Sequence, residues 1–456
     1  MREALGTLES VTHAQAIDRV LALEEQHGRR RNWVWAELGE SPLAKALDPL
    51  ARLASFARTP LGGATLEEAI SAYAIDGWKC DRAALESLCA VRAPADSVIV
   101  GAVVHSLYEP WLDASVRHFQ SLVASAEDRS RRLVGGTTLE KDVCVMFVDG
   151  LRFDVAGMLK ERLEARGLRV RLSHRLAPLP TVTATAKPFA TVVYDALEGG
   201  DDVVDFNPSL RNQGQPCTAQ RLRDEMVARG VDVLAGEIHP PRAGTTAAWR
   251  ETGRLDELGH KLQGRLALHL EDELEQLLDE TIGVLDHGWL RVRIVTDHGW
   301  LLLPGGLPRV ELPSYLAATK WARCATVKGE SKPNVPIYSW HWNGHVRIAS
   351  PPGIACFTPN NEYAHGGVSP QECIVPELVV ERGGASVAAT ISKISWRGMR
   401  CRVTVATNDP SVRADLRLNW KQAATSITAS PKEVGPAAEA SLAVADDSHE
   451  GAAVTV

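Results

Sequence analysis

The chain has 456 residues, 45% of them hydrophobic, and a formal net charge of −7 at pH 7. This length exceeds the size at which single hydrophobic cores stop growing, so two or three domains are expected. The charge argues against a generally basic nucleic-acid-binding protein, although local basic patches remain compatible with it. Eight cysteines without a Cys-x-x-Cys pair, no secretory leader and no apolar run of about 18 residues predict reduced thiols in a soluble cytoplasmic protein without membrane contact.

Residues 1–137 are predicted to form a helical domain. Four tryptophans in it (Trp33, Trp35, Trp78 and Trp111) lie among Leu, Val and Ala, so we interpret them as core anchors instead of a base-stacking surface. The run Arg29-Arg30-Arg31 is interpreted as a solvated basic loop, with phosphate contact as the alternative. Helical spacing of apolar residues predicts helices at Ala14–Glu25, Pro42–Phe56, Leu66–Tyr73 and Pro110–Leu133.

Residues 138–382 alternate between strand and helix patterns, which indicates an α/β domain with a mostly parallel sheet. Val143–Val148 is continuously apolar, as expected for a strand buried on both faces. Gly244–Arg254 is polar and is predicted to be a loop before one long helix, Leu255–Leu285. Residues of about 304–352 are rich in Pro, Gly and Trp, which predicts an insertion or cap with a short β-ribbon around Pro336–Ile348.

Residues 383–456 change pattern again. Strand-like runs occur at Ala385–Ile394, Arg400–Val405 and Asp415–Leu418, with a turn at Asn408-Asp409-Pro410. These runs predict part of an antiparallel β-sandwich. The last residues resemble an unfinished strand, so we expect this domain to be incomplete.

Metal-ligating residue types follow two predicted strands. Asp149 comes directly after Val143–Val148, and Asp297-His298 follow the β-branched stretch that begins at Arg291. The carboxyl ends of strands in an open α/β sheet are where such folds place their chemistry. The alternative for each is a turn in which the aspartate caps a neighbouring amide. The similar pair Asp286-His287 closes a helix before Gly288, so it is not directed at that crevice.

Three further places in the sequence carry candidate functional residues, but the local pattern does not decide their roles. Asp256 and His260 are four residues apart, so they lie on one helical face and could share a metal ion or form an exposed ion pair. Thr183 precedes a helix, where its hydroxyl suits either an N-cap or a phosphate-handling nucleophile. His365 lies in a glycine turn and by itself is no more than a loop histidine.

Together these residues resemble the alkaline phosphatase superfamily, particularly its phosphodiesterase branch. The order Asp149, Thr183, Asp256, His260, Asp297, His298 and His365 carries the likeness. Four segments resemble blocks of the PglZ family within it: Val148-Asp149-Gly150-Leu151-Arg152-Phe153-Asp154, Pro180-Thr181-Val182-Thr183, Thr296-Asp297-His298-Gly299 and His365-Gly366-Gly367-Val368-Ser369. The resemblance covers about residues 140–380, and the flanking parts resemble those of PglZ proteins from bacterial BREX phage-defence systems.

The resemblance implies an alkaline-phosphatase-like three-layer core that holds two divalent metal ions. Zinc is the expected ion, with manganese or magnesium as alternatives. One ion is expected on Asp149, Thr183, Asp297 and His298, and the other on Asp256, His260 and His365. The family pattern selects Thr183 over Thr181 and Thr185 as the nucleophile. Lys187 is a candidate phosphate contact with a solvated lysine as its alternative, and Arg152 and Asp154 are expected to tie the Asp149 loop as an ion pair.

The implied activity is that of a metal-dependent phosphodiesterase or nuclease in BREX antiphage defence. Its expected partners are a phosphoester substrate, nucleic acid among the candidates, and other BREX proteins such as the methyltransferase PglX. The second hypothesis is a phosphomonoesterase. The third is a non-catalytic scaffold that organises other BREX components. Sulfatase chemistry is disfavoured because no Cys/Ser-x-Pro-x-Arg block occupies the nucleophile position.

Overall fold

The computed structural model describes residues 1–125, 136–201, 205–211, 214–245, 247–383, 389–407, 412–419, 425–434 and 439–456. The chain divides into two compact units, Met1–Glu381 and Arg382–Val456. None of the helices in these ranges has the length and apolarity needed to cross a membrane. All eight cysteines are free thiols, as the sequence predicted.

The first unit begins with helices. They are α1 (Arg2–Gly6), α2 (His13–His27), α3 (Val34–Glu37), α4 (Pro42–Phe56), α5 (Leu66–Ala72), α6 (Trp78–Cys89) and α7 (Pro94–Ser125). The predicted helices that correspond to α2, α4 and α5 are confirmed. The fourth prediction was wrong at its start, because α7 begins at Pro94 and contains Pro110 within it. Val100, Val103, Val104 and Leu107 already have helical spacing, and all four are buried. Residues 126–133 of that prediction lie outside the described residues.

The interpretation of four tryptophans as core anchors holds for only part of the set. Trp111 is 3% exposed, and its ring stacks on Tyr108 at 5.8 Å. Trp78 is half-buried and packs against Phe153 at 6.3 Å. In contrast, Trp33 and Trp35 are 54% and 59% exposed. They stand at the four-residue helix α3, which offers too little packing surface to bury two indole rings.

The remainder of the first unit is an α/β fold. In chain order its elements are β1 (Val143–Val148), α8 (Phe153–Ala165), β2 (Leu168–Leu176), α9 (Thr183–Ala190), β3 (Leu197–Glu198), β4 (Ser209–Leu210), α10 (Ala219–Ala228), β5 (Val231–Val233), β6 (Ala247–Thr252), α11 (Leu255–Leu262), α12 (Leu270–Asp286), β7 (Arg291–Val295), β8 (Leu301–Leu302), β9 (Ala317–Lys320), β10 (Ala325–Val327), β11 (Ile337–Ser339), β12 (Arg347–Ala349), β13 (Tyr363–Ala364), α13 (Pro370–Cys373) and β14 (Ile374–Arg382).

Six strands form the central sheet in the order β2-β14-β7-β1-β6-β5. Both β6 and β7 run parallel to β1, β5 runs parallel to β6, and β14 runs antiparallel to β7. Strand β1 is buried throughout, as predicted. Its Met146 and Val148 pack with residues of α8 and α12, whereas Val145 and Phe147 pack with residues of α10. The sheet therefore lies between two layers of helix, which agrees with the α/β prediction.

Two predictions around β6 were wrong. Gly244–Arg254 was expected to be a loop, but Ala247–Thr252 forms β6 beside β1. Its first residues, Ala247, Ala248 and Trp249, are buried by that pairing, and the polar residues that follow them hid the strand in the sequence. The expected single helix Leu255–Leu285 is divided into α11, a 3₁₀ turn at Gln263–His269, and α12. The break coincides with Gln263, which has a φ of +54°.

The insertion and the second unit are built from antiparallel strands. The insertion forms a four-stranded sheet in the order β11-β12-β10-β9, and its β11–β12 hairpin is the predicted ribbon. The second unit contains β15 (Ala389–Arg397), β16 (Arg400–Thr407), β17 (Arg413–Ala414), β18 (Lys432–Glu433) and β19 (Glu439–Ala443). Strands β15, β16 and β19 form one sheet, and β17 and β18 form a separate pair. The predicted turn at residues 408–410 lies outside the described residues.

The buried pair formed by Arg152 and Asp154 generates a prediction about stability. The Arg152 guanidinium donates to both carboxylate oxygens at 2.6 Å and lies 3.8 Å from the Trp300 ring centroid. Asp154→Ala leaves a buried cation without its counter-charge, so we expect a loss of about 3–5 kcal/mol in unfolding free energy. Glu164→Ala, which breaks the more exposed Lys160–Glu164 pair, should cost less than about 1 kcal/mol. Guanidinium unfolding followed by circular dichroism measures the unfolding free energy of both variants. Equal losses would contradict the stabilising role of the buried Arg152–Asp154 pair.

Candidate functional site

Three neighbouring parallel strands end at one edge of the sheet. Asp149 directly follows β1, Asp297 and His298 follow β7, and Asp256 stands in the first turn of α11 shortly after β6. Because β7, β1 and β6 are adjacent and parallel, the segments after their carboxyl ends converge. Asp297 and His298 are 1% and 0% exposed, whereas Asp149 and Asp256 are partly exposed.

The first group of side chains surrounds the Nε2 atom of His298. The Thr183 Oγ1 atom lies 3.2 Å from it. Asp149 Oδ1 lies 3.6 Å away and Asp297 Oδ2 lies 3.5 Å away. Donor atoms of Asp149, Asp297 and His298 are all within 4.8 Å of one another, a spacing that could accommodate a metal ion.

The second group adjoins the first. The Nε2 atoms of His260 and His365 are 2.9 Å apart, and Asp256 Oδ1 lies 3.6 Å from the first and 3.3 Å from the second. The imidazole rings of His298 and His365 stack with centroids 3.9 Å apart. Donor atoms of Asp256, His298 and His365 also lie within 4.8 Å of one another. The structure thus brings all of the predicted metal-ligand residues into one cluster, with His298 between its two groups.

Backbone carbonyls orient two of these histidines. The Nδ1 atom of His298 lies 3.1 Å from the Gly299 oxygen, and that of His365 lies 3.0 Å from the Thr181 oxygen. A carbonyl oxygen only accepts hydrogen bonds, so each Nδ1 carries the proton and donates it. Each Nε2 therefore presents a lone pair to the cluster, which is the arrangement of metal-ligating histidines. These carbonyls are backbone atoms, so the sequence carried no signal for them.

Electrostatics in the cluster favour a bound cation. Burial, followed by the charge of Asp297, raises the pKa of Asp149 well above its usual range. Burial and the charge of Asp256 raise the pKa of Asp297 to about 6. Burial and the neighbouring His298 lower the pKa of His365 to about 4, so its ring is neutral at pH 7. Asp149 Oδ1 and Asp297 Oδ2 are buried and accept no hydrogen bond from the described residues. A divalent cation on these oxygens would remove that deficit.

Asp256 differs from the other two carboxylates. Burial opposes its charge, but His365, His298 and His260 together with the Tyr363 hydroxyl lower its pKa. Tyr363 Oη donates to Asp256 Oδ1 at 2.9 Å, and its ring packs edge-on to His260 with centroids 5.3 Å apart. Sequence reasoning missed Tyr363. Its position two residues before His365 was the only hint, because nothing in the pattern places its hydroxyl beside Asp256.

The three threonines of the Pro180–Thr185 segment have different surroundings. The hydroxyl of Thr181 donates to the Gly367 oxygen at 2.8 Å, and that of Thr185 donates to the Phe206 oxygen at 2.9 Å. Both residues are fully buried. Thr183 is partly exposed and its hydroxyl faces His298. It is the first residue of α9, so it lies within the helix that it was predicted to precede.

Lys187 lies at the edge of the cluster. It is one turn along α9 from Thr183, so both side chains lie on the same helical face. Its Nζ atom is 2.8 Å from Glu251 Oε2 and 4.7 Å from the Phe147 ring centroid. Its charge opposes the burial-driven rise in the pKa of Asp149 and of Asp297. Lys187 is thus an ion-paired, mostly buried lysine near the site. The alternative interpretation of Lys187 as a solvated lysine does not fit this position.

The insertion packs on the start of α9. The Trp340 Nε1 atom donates to Thr185 Oγ1, and that of Trp342 donates to the Thr185 oxygen, both at 3.0 Å. The His341 amide donates to the Leu179 oxygen at 2.9 Å. These contacts fix the segment that carries Thr183.

Comparisons with known proteins give a limited picture. No protein-family model matches the sequence, and no curated protein matches it. Among solved structures, the chain is similar to murine ectonucleotide pyrophosphatase/phosphodiesterase 5 with 10% identity and a TM-score of 0.34, over 52% of this chain and 87% of that chain. An inactive form of the same murine protein in complex with AMP gives 11% identity and a TM-score of 0.31, over 54% of this chain and 88% of that chain. We therefore argue the chemistry of the site from its own side chains.

The buried carboxylate of Asp297 generates a prediction about stability and metal binding. Its folded pKa of about 6 lies above the unfolded value of about 3.9, so its stabilising contribution is fully present below pH 4 and is lost as the pH rises through 6. Asn can still accept the hydrogen bonds that the Gly150 and His298 amides donate to Asp297 Oδ1. We expect metal-free Asp297→Asn to be more stable than the wild type at pH 8, by on the order of 2 kcal/mol, and to show a smaller zinc-dependent rise in melting temperature, because only Asp256, His260 and His365 keep their full ligand set.

Asp286→Asn is the matched control, because Asp286 belongs to the similar Asp-His pair at the end of α12. Thermal unfolding at pH 8, with and without zinc, gives the stability of the wild type and of both variants. Asp286→Asn should behave as the wild type. A metal-free Asp297→Asn protein that is less stable than the wild type, or that zinc stabilises as much as the wild type, would be evidence against the site.

Proposed function

We propose that this chain is a divalent-metal-dependent phosphoester hydrolase that uses Thr183 as its nucleophile. One observation carries the proposal: Thr183 is partly exposed, and its hydroxyl lies 3.2 Å from His298 Nε2 within the cluster of carboxylates and imidazoles. The hydroxyls of Thr181 and Thr185 are buried and already donate to backbone carbonyls, so they are not available for chemistry.

The donor set suits two cations. Asp149, Thr183, Asp297 and His298 would hold one ion, and Asp256, His260 and His365 would hold the other. Mixed imidazole and carboxylate donors favour zinc. When bound, such ions lower the pKa of a coordinated hydroxyl and neutralise charge on the phosphoryl oxygens.

The protein's own groups then have defined roles. Thr183 Oγ1 lies 3.2 Å from His298 Nε2, so both atoms could be donors to the same ion. The amino-terminal end of α9 places the positive end of a helix dipole beside the phosphoryl oxygens. Attack by Thr183 Oγ1 on phosphorus forms a phosphothreonine and breaks the bond to the leaving oxygen. Attack of water on that phosphothreonine returns the threonine and releases the phosphate product.

The finer assignments rest on sequence resemblance. The order of the site residues resembles the phosphodiesterase branch of the alkaline phosphatase superfamily, so we propose a phosphodiester substrate, nucleic acid among the candidates. The four motif blocks resemble the PglZ family. We therefore propose a role in BREX antiphage defence, in the bacterial cytoplasm and together with proteins such as the methyltransferase PglX. Lys187 is proposed as a phosphate contact, because its ammonium group lies on the same face of α9 as Thr183.

Substitution of Thr183 tests the proposal. Thr183→Ala should lower the turnover of bis-p-nitrophenyl phosphate by roughly a thousandfold or more, because no other hydroxyl in the segment can replace the nucleophile. Thr183→Ser keeps the hydroxyl and should keep measurable turnover. Thr59→Ala removes an exposed hydroxyl in the helical part and serves as the control with unchanged turnover. Steady-state rates with supplied zinc or manganese give the comparison.

The outcomes also separate the other candidate functions. Faster turnover of p-nitrophenyl phosphate than of the diester would point to a phosphomonoesterase. A Thr183→Ala protein that is folded and metal-loaded yet retains phage defence in cells would point to a scaffold. Full turnover of either ester by Thr183→Ala would refute the nucleophile assignment.

A further inference from the structure

A cavity of about 950 Å³ lies between the start of α7 and the 3₁₀ turn at Gln263–His269. None of the predicted metal-ligand residues lines it, so it is distinct from the site around Thr183. Leu88, Val91 and Leu268 contribute apolar surface to its wall. Its volume is in the range of small-molecule sites, which are mostly apolar with a few polar groups that orient the ligand.

Two arginines on the cavity wall are available to an anionic ligand. Arg92 and Arg265 line it and are exposed. Neither guanidinium has an ion-pair or hydrogen-bond partner within the described part of the chain. Of the two carboxylates on the wall, Glu362 already accepts hydrogen bonds from the backbone amides of Gly264 at 3.0 Å and Gly305 at 2.9 Å. Two arginines and two glutamates give the wall a balanced formal charge, but the two guanidinium groups have no partner among the described residues and can bind an anionic group.

This combination defines a class of ligand. Guanidinium groups bind carboxylate, sulfonate and phosphate oxygens through paired hydrogen bonds. The apolar wall suits a flat or branched hydrophobic body, whose transfer from water contributes affinity in proportion to the area buried. An organic anion with an apolar body satisfies both parts of the cavity.

The same wall is connected to the second group of metal-ligand candidates. Gln263 Oε1 accepts hydrogen bonds from the amides of Glu362 at 2.9 Å and Tyr363 at 3.0 Å. Its Nε2 atom donates to the His260 oxygen at 3.0 Å. One side chain thus ties the end of α11, which carries His260, to the strand that leads to His365. Glu362 is held in turn by Gly264 and Gly305 on the cavity wall.

We propose that this cavity is an effector site for an organic anion with an apolar body, and that its occupancy strengthens metal binding by Asp256, His260 and His365. A ligand that spans the cavity restrains Gly264 and Gly305, and through Glu362 and Gln263 it restrains the segments that carry the two histidines. Ligand sites that share such a restraint bind cooperatively, and the effect is reciprocal. The coupling rests on the metal site of the proposed function, whereas ligand binding by the cavity does not.

The first test uses anilinonaphthalene sulfonate, a fluorescent anion with an apolar body. The metal-free protein should bind it saturably at one site with increased fluorescence. Ala102→Phe fills the cavity and the double substitution Arg92→Ala/Arg265→Ala removes its cations, so each should weaken binding at least about tenfold, a loss of about 1.4 kcal/mol. Arg19→Ala removes an exposed arginine of α2 and should leave binding unchanged. Absence of saturable binding, or equal binding by all variants, would overturn the effector site.

The second test measures the coupling without any activity assay. Calorimetric titration of zinc into the wild type should give a binding constant for one of the two ions that is at least about fivefold tighter when the probe is present. Glu362→Gln loses one of its two amide contacts and should reduce this gain. An unchanged zinc affinity in the presence of bound probe would overturn the coupling. Failure to bind zinc at all would contradict the proposed function and the coupling together, while the fluorescence titration would still decide the cavity.

Discussion

The crowding of three carboxylates, one fully buried and two partly buried, is the constraint on which the site depends. Asp149, Asp256 and Asp297 meet where three parallel strands end, and burial opposes the charge of each. In a medium of low polarity, neighbouring carboxylates do not all stay ionised unless positive charge or hydrogen-bond donors compensate them. The protein supplies part of it through neighbouring imidazoles and leaves two carboxylate oxygens without hydrogen-bond partners among the described residues. In the proposed function, a pair of divalent cations would complete the compensation.

Contacts from the rest of the first unit hold the candidate ligands in place. Gln120 of α7 donates to the Val368 oxygen at 3.1 Å and accepts from the Gly353 amide at 2.9 Å. Glu372 accepts from the Gly367 amide at 2.8 Å and pairs with the buried Arg323 at 2.9 Å. These contacts surround the glycine turn that follows His365. The helical part therefore supports the site directly, because a residue of its longest described helix holds the turn next to a metal-ligand candidate.

The sequence was most informative where side chains alone determine the arrangement. Asp149, Asp297 and His298 follow strands that could be recognised from apolar runs, so their convergence was predictable. Strand β6 was not, because Arg250, Glu251 and Thr252 are polar and the strand is specified by its pairing with β1. The choice among Thr181, Thr183 and Thr185 came from family resemblance, whereas the hydrogen bonds of their hydroxyls supply a physical reason for it. The hydrogen-bond partners of His298 and His365 are backbone carbonyls, which no residue pattern encodes.

The most direct test of the two-cation site is a crystal grown with zinc and measured at the zinc absorption edge. Our account predicts two anomalous peaks, one bounded by Asp149, Thr183, Asp297 and His298 and the other by Asp256, His260 and His365. Thr183 Oγ1 should lie within coordination distance of the first peak, roughly 2 Å. The absence of zinc from this cluster, or a single ion bound elsewhere in the protein, would contradict the account.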